Sequence, residues 1–119
     1  MFTLRVEGHF SSAHNLRGYK GKCESLHGHN WKVEVALSAR ELDDCGMVMD
    51  FQKIKSYLEK ELLSLDHKYL NKHPYFSKVN PTSENLAAYL YGRLKKKMPD
   101  LSSVTVWESD NSSATYYEE

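Results

Sequence analysis

Three histidines of the chain are spaced so that they could bind one metal ion. His27 and His29 are separated only by Gly28, and alternate residues of a β-strand leave the same face, so both imidazoles would share one side of a strand. A neighbouring antiparallel strand that ends at His14 would add a third imidazole. Three imidazoles with an open fourth position form the arrangement of catalytic zinc sites. The alternative is that HGH is polar surface, because this spacing alone is a weak signal.

Two groups able to move a proton stand side by side just before the HGH sequence. Cys23 and Glu24 lie in KCESLHGHNW, which runs from Lys22 to Trp31. A thiolate is a nucleophile or a base, and a carboxylate is a base of different strength and reach. Glu24 is either a second reactive group or a solvated loop residue, since most glutamates are exposed.

A carboxylate also stands beside a histidine in LDHKYLN, at Asp66 and His67. An acid next to an imidazole can fix its tautomer and raise its basicity, which suits a proton shuttle. With Cys23, the pair has the composition of an activated thiol system. Alternatively, His67 is a histidine placed at a helix C-terminus, where the helix dipole favours it.

Glu108 lies among apolar residues in VTVWESD. Glu108 and Trp107 point to opposite faces of a strand, so an outward Trp107 would turn the carboxylate inward. An inward carboxylate needs a partner, and a heterocycle with an amino group and a ring N–H would supply two donors. An exposed glutamate at a strand end is the other interpretation.

The hydrophobic pattern predicts the elements that must position these residues. Residues 2–10 and 27–37 alternate like strands, and Met47 to Met49 briefly resume strand character. Asp50 and Thr82 are good N-caps for two helices with apolar faces, and Pro99 ends the second. Two more strands follow, one near Val104 and one at 114–117. The order predicts an α+β fold: a four-stranded antiparallel sheet with two helices on one face.

Length and composition narrow the class of protein. The 119 residues suit a single domain, 1–119. Lys and Arg equal Asp and Glu at 16 each, so no overall field attracts nucleic acid or a membrane. The sequence shows no membrane-spanning run and no signal peptide, and the two cysteines form no CxxC pair. We therefore expect a cytoplasmic protein without nucleic-acid or membrane partners.

Taken together, these residues resemble the 6-pyruvoyl-tetrahydropterin synthase family. The matching sequences follow one order: His14, Cys23-x-x-x-His27-Gly28-His29, GMVMDF at 46–51, LDHKYLN at 65–71, NPTSENLA at 80–87, and Glu108. The spacing between Cys23 and His27 is similar to that of the bacterial branch, the 6-carboxy-5,6,7,8-tetrahydropterin synthases of queuosine biosynthesis.

The resemblance implies a zinc-dependent carbon–carbon lyase. His14, His27 and His29 would bind Zn²⁺. The substrate would be the small molecule 7,8-dihydroneopterin triphosphate, and the products 6-carboxy-5,6,7,8-tetrahydropterin, acetaldehyde and triphosphate. The basic loop residues Arg17, Lys20 and Lys22 would either meet the triphosphate or remain solvated.

The resemblance also assigns catalytic residues. Cys23 would be the catalytic base or nucleophile, with Asp66 and His67 as proton-relay partners. Glu24 gives a second pattern, E-x-x-HGH, which resembles the branch that forms 6-hydroxymethyl-7,8-dihydropterin for folate synthesis. A 6-pyruvoyl product and a zinc- or pterin-binding module without catalysis remain alternatives.

Substrate binding and assembly are implied in the same way. Glu108 would anchor the pterin ring, and Thr82 and Ser83 would line its pocket. The fold would be the tunnelling fold, in which subunits join their sheets into a barrel and form a homohexamer, a dimer of trimers. Such a barrel would also pair the sheet edges that a four-stranded sheet leaves open.

Overall fold

The computed structural model describes residues 1–19 and 25–119, so Cys23, Glu24, Lys20 and Lys22 lie outside the described residues. The element order is strand, strand, helix, helix, strand, strand, as the sequence pattern predicted. The elements are β1 (Phe2–His14), β2 (His27–Ala39), α1 (Phe51–Leu63), α2 (Ser83–Lys95), β3 (Leu101–Ser109) and β4 (Ser112–Tyr116).

The strands form one antiparallel sheet in the order β1-β2-β3-β4. The register between β1 and β2 is continuous from Phe2↔Ala39 to His14↔His27. Because the pairing has no bulge, the faces stay constant along both strands. The register therefore places His14 directly opposite His27.

Both helices begin where their caps were predicted. The Asp50 side chain accepts a hydrogen bond from Gln52 N (2.8 Å), and the Thr82 hydroxyl accepts one from Asn85 N (3.1 Å). Each cap satisfies one of the free N–H groups of a first turn.

Within residues 1–19 and 25–119, the buried apolar side chains form one core between the helices and one face of the sheet. Trp31 is fully buried at the end of this core that lies next to the HGH sequence. Gly8 lets α1 approach β1 closely, because a Cβ there would lie 2.9 Å from Leu62 Cδ1. The opposite face of the sheet carries polar residues such as Lys32 and Thr105.

The predicted strand at Met47 to Met49 is wrong. The carboxylate of Asp43 accepts hydrogen bonds from Cys45 N and Met47 N, and Gly46 has a φ of +79°. This turn satisfies locally the backbone groups that a strand would have paired.

The connection between the helices contains two 3₁₀ turns, Leu70–Lys72 and Pro74–Ser77. Before them, the chain runs along the free edge of β1, where Ala13 N donates to Lys68 O (3.0 Å). This connection therefore covers the end of the β1 edge that lies nearest to His14. Within the described residues, no helix has the length and apolarity needed to cross a bilayer.

Candidate metal centre and proton-relay turn

Three imidazoles converge at the end of the β1–β2 pair. His14 and His27 face each other across the two strands, and His29 follows one strand period later. The ring centroids lie 4.6, 5.0 and 4.7 Å apart for His14–His27, His14–His29 and His27–His29. The strand period and register alone produce this cluster, as the sequence predicted for these positions.

Two of the rings are oriented by backbone carbonyls. His14 Nδ1 lies 2.7 Å from Pro81 O, and His27 Nδ1 lies 2.7 Å from Ser25 O. A carbonyl oxygen only accepts, so both Nδ1 atoms carry the proton and both Nε2 atoms present lone pairs. Carbonyl contacts of this kind orient metal-binding histidines in proteins.

The two Nε2 atoms of these rings lie 3.1 Å apart. With both protons on Nδ1, the two lone pairs face each other at this distance and repel. A shared cation relieves this repulsion and satisfies both nitrogens. The tautomers therefore favour an ion between the rings.

Burial favours the neutral, metal-binding form of two of the imidazoles, those of His14 and His29. His14 is 1% exposed, and desolvation lowers its pKa below 6.5, against the opposing effect of its bond to Pro81 O. Desolvation also lowers the pKa of His29, although Glu108 opposes this shift. Neutral imidazoles are ready to ligate without losing a proton.

Glu108 lies beside the imidazoles. Its Oε1 is 3.3 Å from His14 Nε2 and 3.4 Å from His29 Nε2. His29 Nε2 is buried and, despite this proximity, has no hydrogen-bond partner within the described residues. A β-bulge between Trp107 and Ser109 shifts the register of β3 against β4 at this point.

The four groups fit a single metal ion. One atom from each of His14, His27, His29 and Glu108 lies within 4.8 Å of the others. Ligands of one tetrahedral zinc lie roughly 3.3–3.4 Å apart, since each is about 2.0–2.1 Å from the ion. Three of the pairwise separations, at 3.1, 3.3 and 3.4 Å, are close to this value. The donor chemistry also suits zinc, which binds imidazole and carboxylate.

Asp66 and His67 do contact each other, although they are adjacent in sequence. His67 Nδ1 lies 3.0 Å from Asp66 Oδ2, and the other carboxylate oxygen accepts from Ser11 N (2.8 Å). The hydrogen bond from Ser11 lowers the pKa of Asp66 most, and His67 adds to the shift. The carboxylate therefore stays ionised, and it orients an imidazole that is 83% exposed.

The start of α2 lies next to the imidazoles because Pro81 supplies the carbonyl that binds His14. The Thr82 hydroxyl caps the helix, and Ser83 is the first helical residue. Thr82 and Ser83 therefore follow directly after Pro81, whose carbonyl contacts His14 of the cluster.

Arg17 has a role that the sequence did not reveal. Its guanidinium donates to the carbonyls of Phe76 (2.6 Å) and Asn71 (3.1 Å). Asn80 adds two bonds to the backbone of Arg17, and Asn71 binds the backbone of Asn15 in the same way. These contacts join residues 15–17 to the connection before α2. No local pattern could have indicated them, because the partners are distant in sequence.

The chain belongs to the 6-pyruvoyl tetrahydropterin synthase family. A sequence model of that family matches residues 3–119. The expected four-stranded sheet with two helices is also the fold of solved members. A 6-pyruvoyl tetrahydropterin synthase from Caenorhabditis elegans superposes with a TM-score of 0.90 at 32% identity, covering 99% of this chain and 96% of that one.

The relatives of this chain include two kinds of synthase. The 6-carboxy-5,6,7,8-tetrahydropterin synthase of Synechocystis is 37% identical over 98% of this chain and 94% of its own. The Haemophilus influenzae protein of the same name is 32% identical over 99% of this chain and 100% of its own. The human 6-pyruvoyl tetrahydrobiopterin synthase is 39% identical over 89% of this chain and 77% of its own. The expectation of an enzyme of this family is therefore confirmed.

Proposed function

We propose that the protein is a zinc-dependent lyase that converts 7,8-dihydroneopterin triphosphate and one water to 6-carboxy-5,6,7,8-tetrahydropterin, acetaldehyde and triphosphate. The convergence of three imidazoles, two of which direct Nε2 lone pairs at one point, carries the proposal. Two relatives that span nearly the whole chain bear the name of a 6-carboxytetrahydropterin synthase, which supports this product.

His14, His27 and His29 would hold the zinc and leave its fourth position to the substrate, because Glu108 would bind the pterin instead of the ion. Bound there, zinc would act as a Lewis acid toward the hydroxyl oxygens of the substrate side chain. The protein would keep the rings in place through the carbonyls of Pro81 and Ser25.

Glu108 would anchor the substrate, and its position indicates which part of the pterin it would contact. The carboxylate is within 3.4 Å of two ligand nitrogens, so it would contact the part of the pterin that lies nearest to the metal. Its side chain is 34% exposed, which leaves an oxygen free to accept a hydrogen bond from a ligand. Thr82 and Ser83 would line the ring pocket from the N-terminal end of α2.

His67 would exchange a proton with the substrate, and Asp66 would hold its tautomer. Asp66 accepts the Nδ1 proton, which leaves His67 Nε2 free to act as acid or base. Cys23, just before the zinc-binding strand, would take the matching proton at the side-chain carbon next to the ring.

The exposure of His67 favours a shared site. An imidazole that is 83% exposed would be enclosed if a second copy of the chain closed over it. We therefore propose the homohexamer of joined sheets, in which relay and metal groups meet between subunits. Light scattering tests this part, and a fully active monomer would contradict it.

A turnover assay with product identification tests the function. Zinc-loaded protein is expected to consume 7,8-dihydroneopterin triphosphate and release 6-carboxytetrahydropterin and acetaldehyde. Binding of the substrate without turnover would indicate a pterin-binding module instead. A dominant 6-pyruvoyl product would place the protein with the human relative.

A second product is favoured by the adjacency of Cys23 and Glu24 in the sequence. Glu24 would direct cleavage to 6-hydroxymethyl-7,8-dihydropterin, with the dihydropterin ring kept. Cys23→Ala should then abolish the carboxy product and spare some hydroxymethyl product, and Glu24→Ala should do the reverse. If Cys23→Ala removes both products and Glu24→Ala changes neither, Cys23 alone carries the chemistry.

A further inference from the structure

The hydroxyl of Ser12 makes two hydrogen bonds to the turn that carries Asp66 and His67. It donates to the carbonyl oxygen of Leu65 and accepts from the N–H of Lys68 (3.2 Å). Ser12 is 6% exposed and belongs to the small set of buried polar residues. A buried hydroxyl with both capacities used is a specific structural contact.

Leu65 and Lys68 are the first and last residues of that four-residue turn. In an ordinary β-turn the first carbonyl accepts directly from the last N–H. Here both groups bind one hydroxyl from another strand, which stands between them. Ser12 thus replaces the hydrogen bond that would close the turn.

The conformation of His67 depends on this arrangement. His67 has a φ of 53°, a region that glycine and asparagine favour at the third position of a turn. A histidine holds this conformation when surrounding contacts impose it. The main chain of Ser11 supplies two of these contacts, to the Asp66 carboxylate and to His67 N, and the Ser12 hydroxyl supplies two more.

We propose that Ser12 is a positioning residue for catalysis, whose hydroxyl holds the turn open and thereby directs the His67 imidazole toward the substrate. The proposal rests on the proposed function of His67 as a proton-relay residue. Ser12 itself touches no reacting atom in this scheme.

Removal of the hydroxyl leaves the Leu65 carbonyl and the Lys68 N–H without their partner inside the protein. The turn must then open toward water to satisfy these two groups, and this movement displaces His67. A proton-transfer group displaced by about 1 Å can lose roughly 100-fold in rate. Substrate binding at the metal cluster would change little.

The experiment compares Ser12→Ala with Ser11→Ala in the zinc-loaded, full-length protein. Ser11 is the matched control, because its hydroxyl donates to Asn30 on β2 and its main-chain bonds to the turn survive the substitution. The first measurement is amide hydrogen exchange at Lys68. It needs no substrate, and Ser12→Ala should raise this rate at least tenfold relative to both the wild type and Ser11→Ala.

The second measurement is steady-state turnover of 7,8-dihydroneopterin triphosphate. Ser12→Ala should lower kcat roughly 10- to 100-fold with KM within about twofold and with full zinc content. Ser12→Thr, which restores a hydroxyl, should recover part of kcat. An unchanged kcat in Ser12→Ala would overturn the proposal, as would unchanged exchange at Lys68.

Two further outcomes, a Ser12→Ala protein that does not fold and an inactive wild type, can be told apart from a failure of Ser12 to hold the turn. If Ser12→Ala does not fold, Ser12→Cys keeps the volume but replaces the hydroxyl by a weak donor and acceptor, and the same kcat loss is expected. If the wild type turns over no pterin, the proposed function fails, and the catalytic role of Ser12 fails with it. The exchange rates still decide whether Ser12 holds the turn.

Discussion

The candidate metal cluster of His14, His27 and His29 and the turn at 65–68, the proposed relay turn, hold their histidines by opposite means. The rings of His14, His27 and His29 project from paired strands, and His14 is buried at 1% exposure. His67 projects from a turn with a positive φ, and its side chain is 83% exposed. The sheet itself fixes the first group, whereas a few hydrogen bonds to the edge of β1 fix the second. Both groups nevertheless depend on β1, which contributes His14 to the cluster and the hydrogen bonds of Ser11 and Ser12 to the turn.

The largest expected effect is the loss of zinc from the histidine cluster. In His27→Ala, the ring that faces His14 at 3.1 Å is gone, so the proposed zinc site loses one of its three imidazoles. Stoichiometric zinc and measurable turnover should both disappear in elemental analysis and kinetic assays. His9→Ala, on the polar side of β1, is the control and should keep both. Full zinc and full turnover in His27→Ala would refute the ligand assignment.

The second-largest expected effect is a loss of turnover without a loss of zinc, which would show that the turn and the metal cluster act independently. His67→Asn removes the imidazole but keeps a residue that tolerates positive φ, so the turn should persist. Loss of a general acid or base typically costs about 10²–10⁴-fold in rate. We expect kcat to fall by at least about 100-fold while zinc content and substrate affinity remain. A simultaneous loss of zinc would show that the turn and the cluster form one structural unit.

The sequence predicted the convergence of the histidine cluster but not the contacts that hold the turn of Asp66 and His67, and the reason is physical. A strand period places His27 and His29 on one face wherever the strand pairs, so their convergence follows from local pattern. The turn is held by Ser11 and Ser12, which are far from it in sequence, and no periodicity encodes such contacts. Arg17 was missed for the same reason, since its carbonyl partners depend on how the connection folds back.

The caps and the core were predictable, but details that depend on competing contacts were not. Asp50 and Thr82 begin their helices because a side-chain oxygen before an apolar face meets free N–H groups. The strand expected at Met47 failed because Asp43 binds the same backbone groups locally. Glu108 was expected to face an inward partner, but its closeness to His14 and His29 required the tertiary structure.

A smaller effect should show how far the cluster depends on its surroundings. Thr82→Ala removes the cap of α2, which costs about 1 kcal/mol of stability, and loosens the backbone that presents Pro81 O to His14. Loss of such an orienting contact weakens metal binding by roughly 10- to 100-fold, and we expect the lower end. Competition with a chelator measures the zinc affinity. Ser83→Ala leaves the cap in place and should retain wild-type affinity. Equal affinities in both variants would mean that the strands alone orient His14.

The smallest effect concerns the charge on the relay turn and appears as a pH dependence of stability. The hydrogen bond from Ser11 N, with a further contribution from His67, lowers the folded-state pKa of Asp66 below 3.8. A depressed carboxyl pKa means that the ionised form stabilises the fold. This stabilisation is complete above the unfolded pKa of about 3.9 and is lost as the pH falls through the folded value.

Asp66→Asn keeps an oxygen for Ser11 N but cannot ionise. Urea unfolding between pH 6 and pH 3 should therefore show a steeper loss of stability in the wild type than in Asp66→Asn below about pH 4. The metal cluster should not contribute to this difference if both proteins are measured free of metal, because its imidazoles are the same in each. Parallel curves for the two proteins would show that the turn is held by its backbone contacts alone, with no contribution from the carboxylate charge.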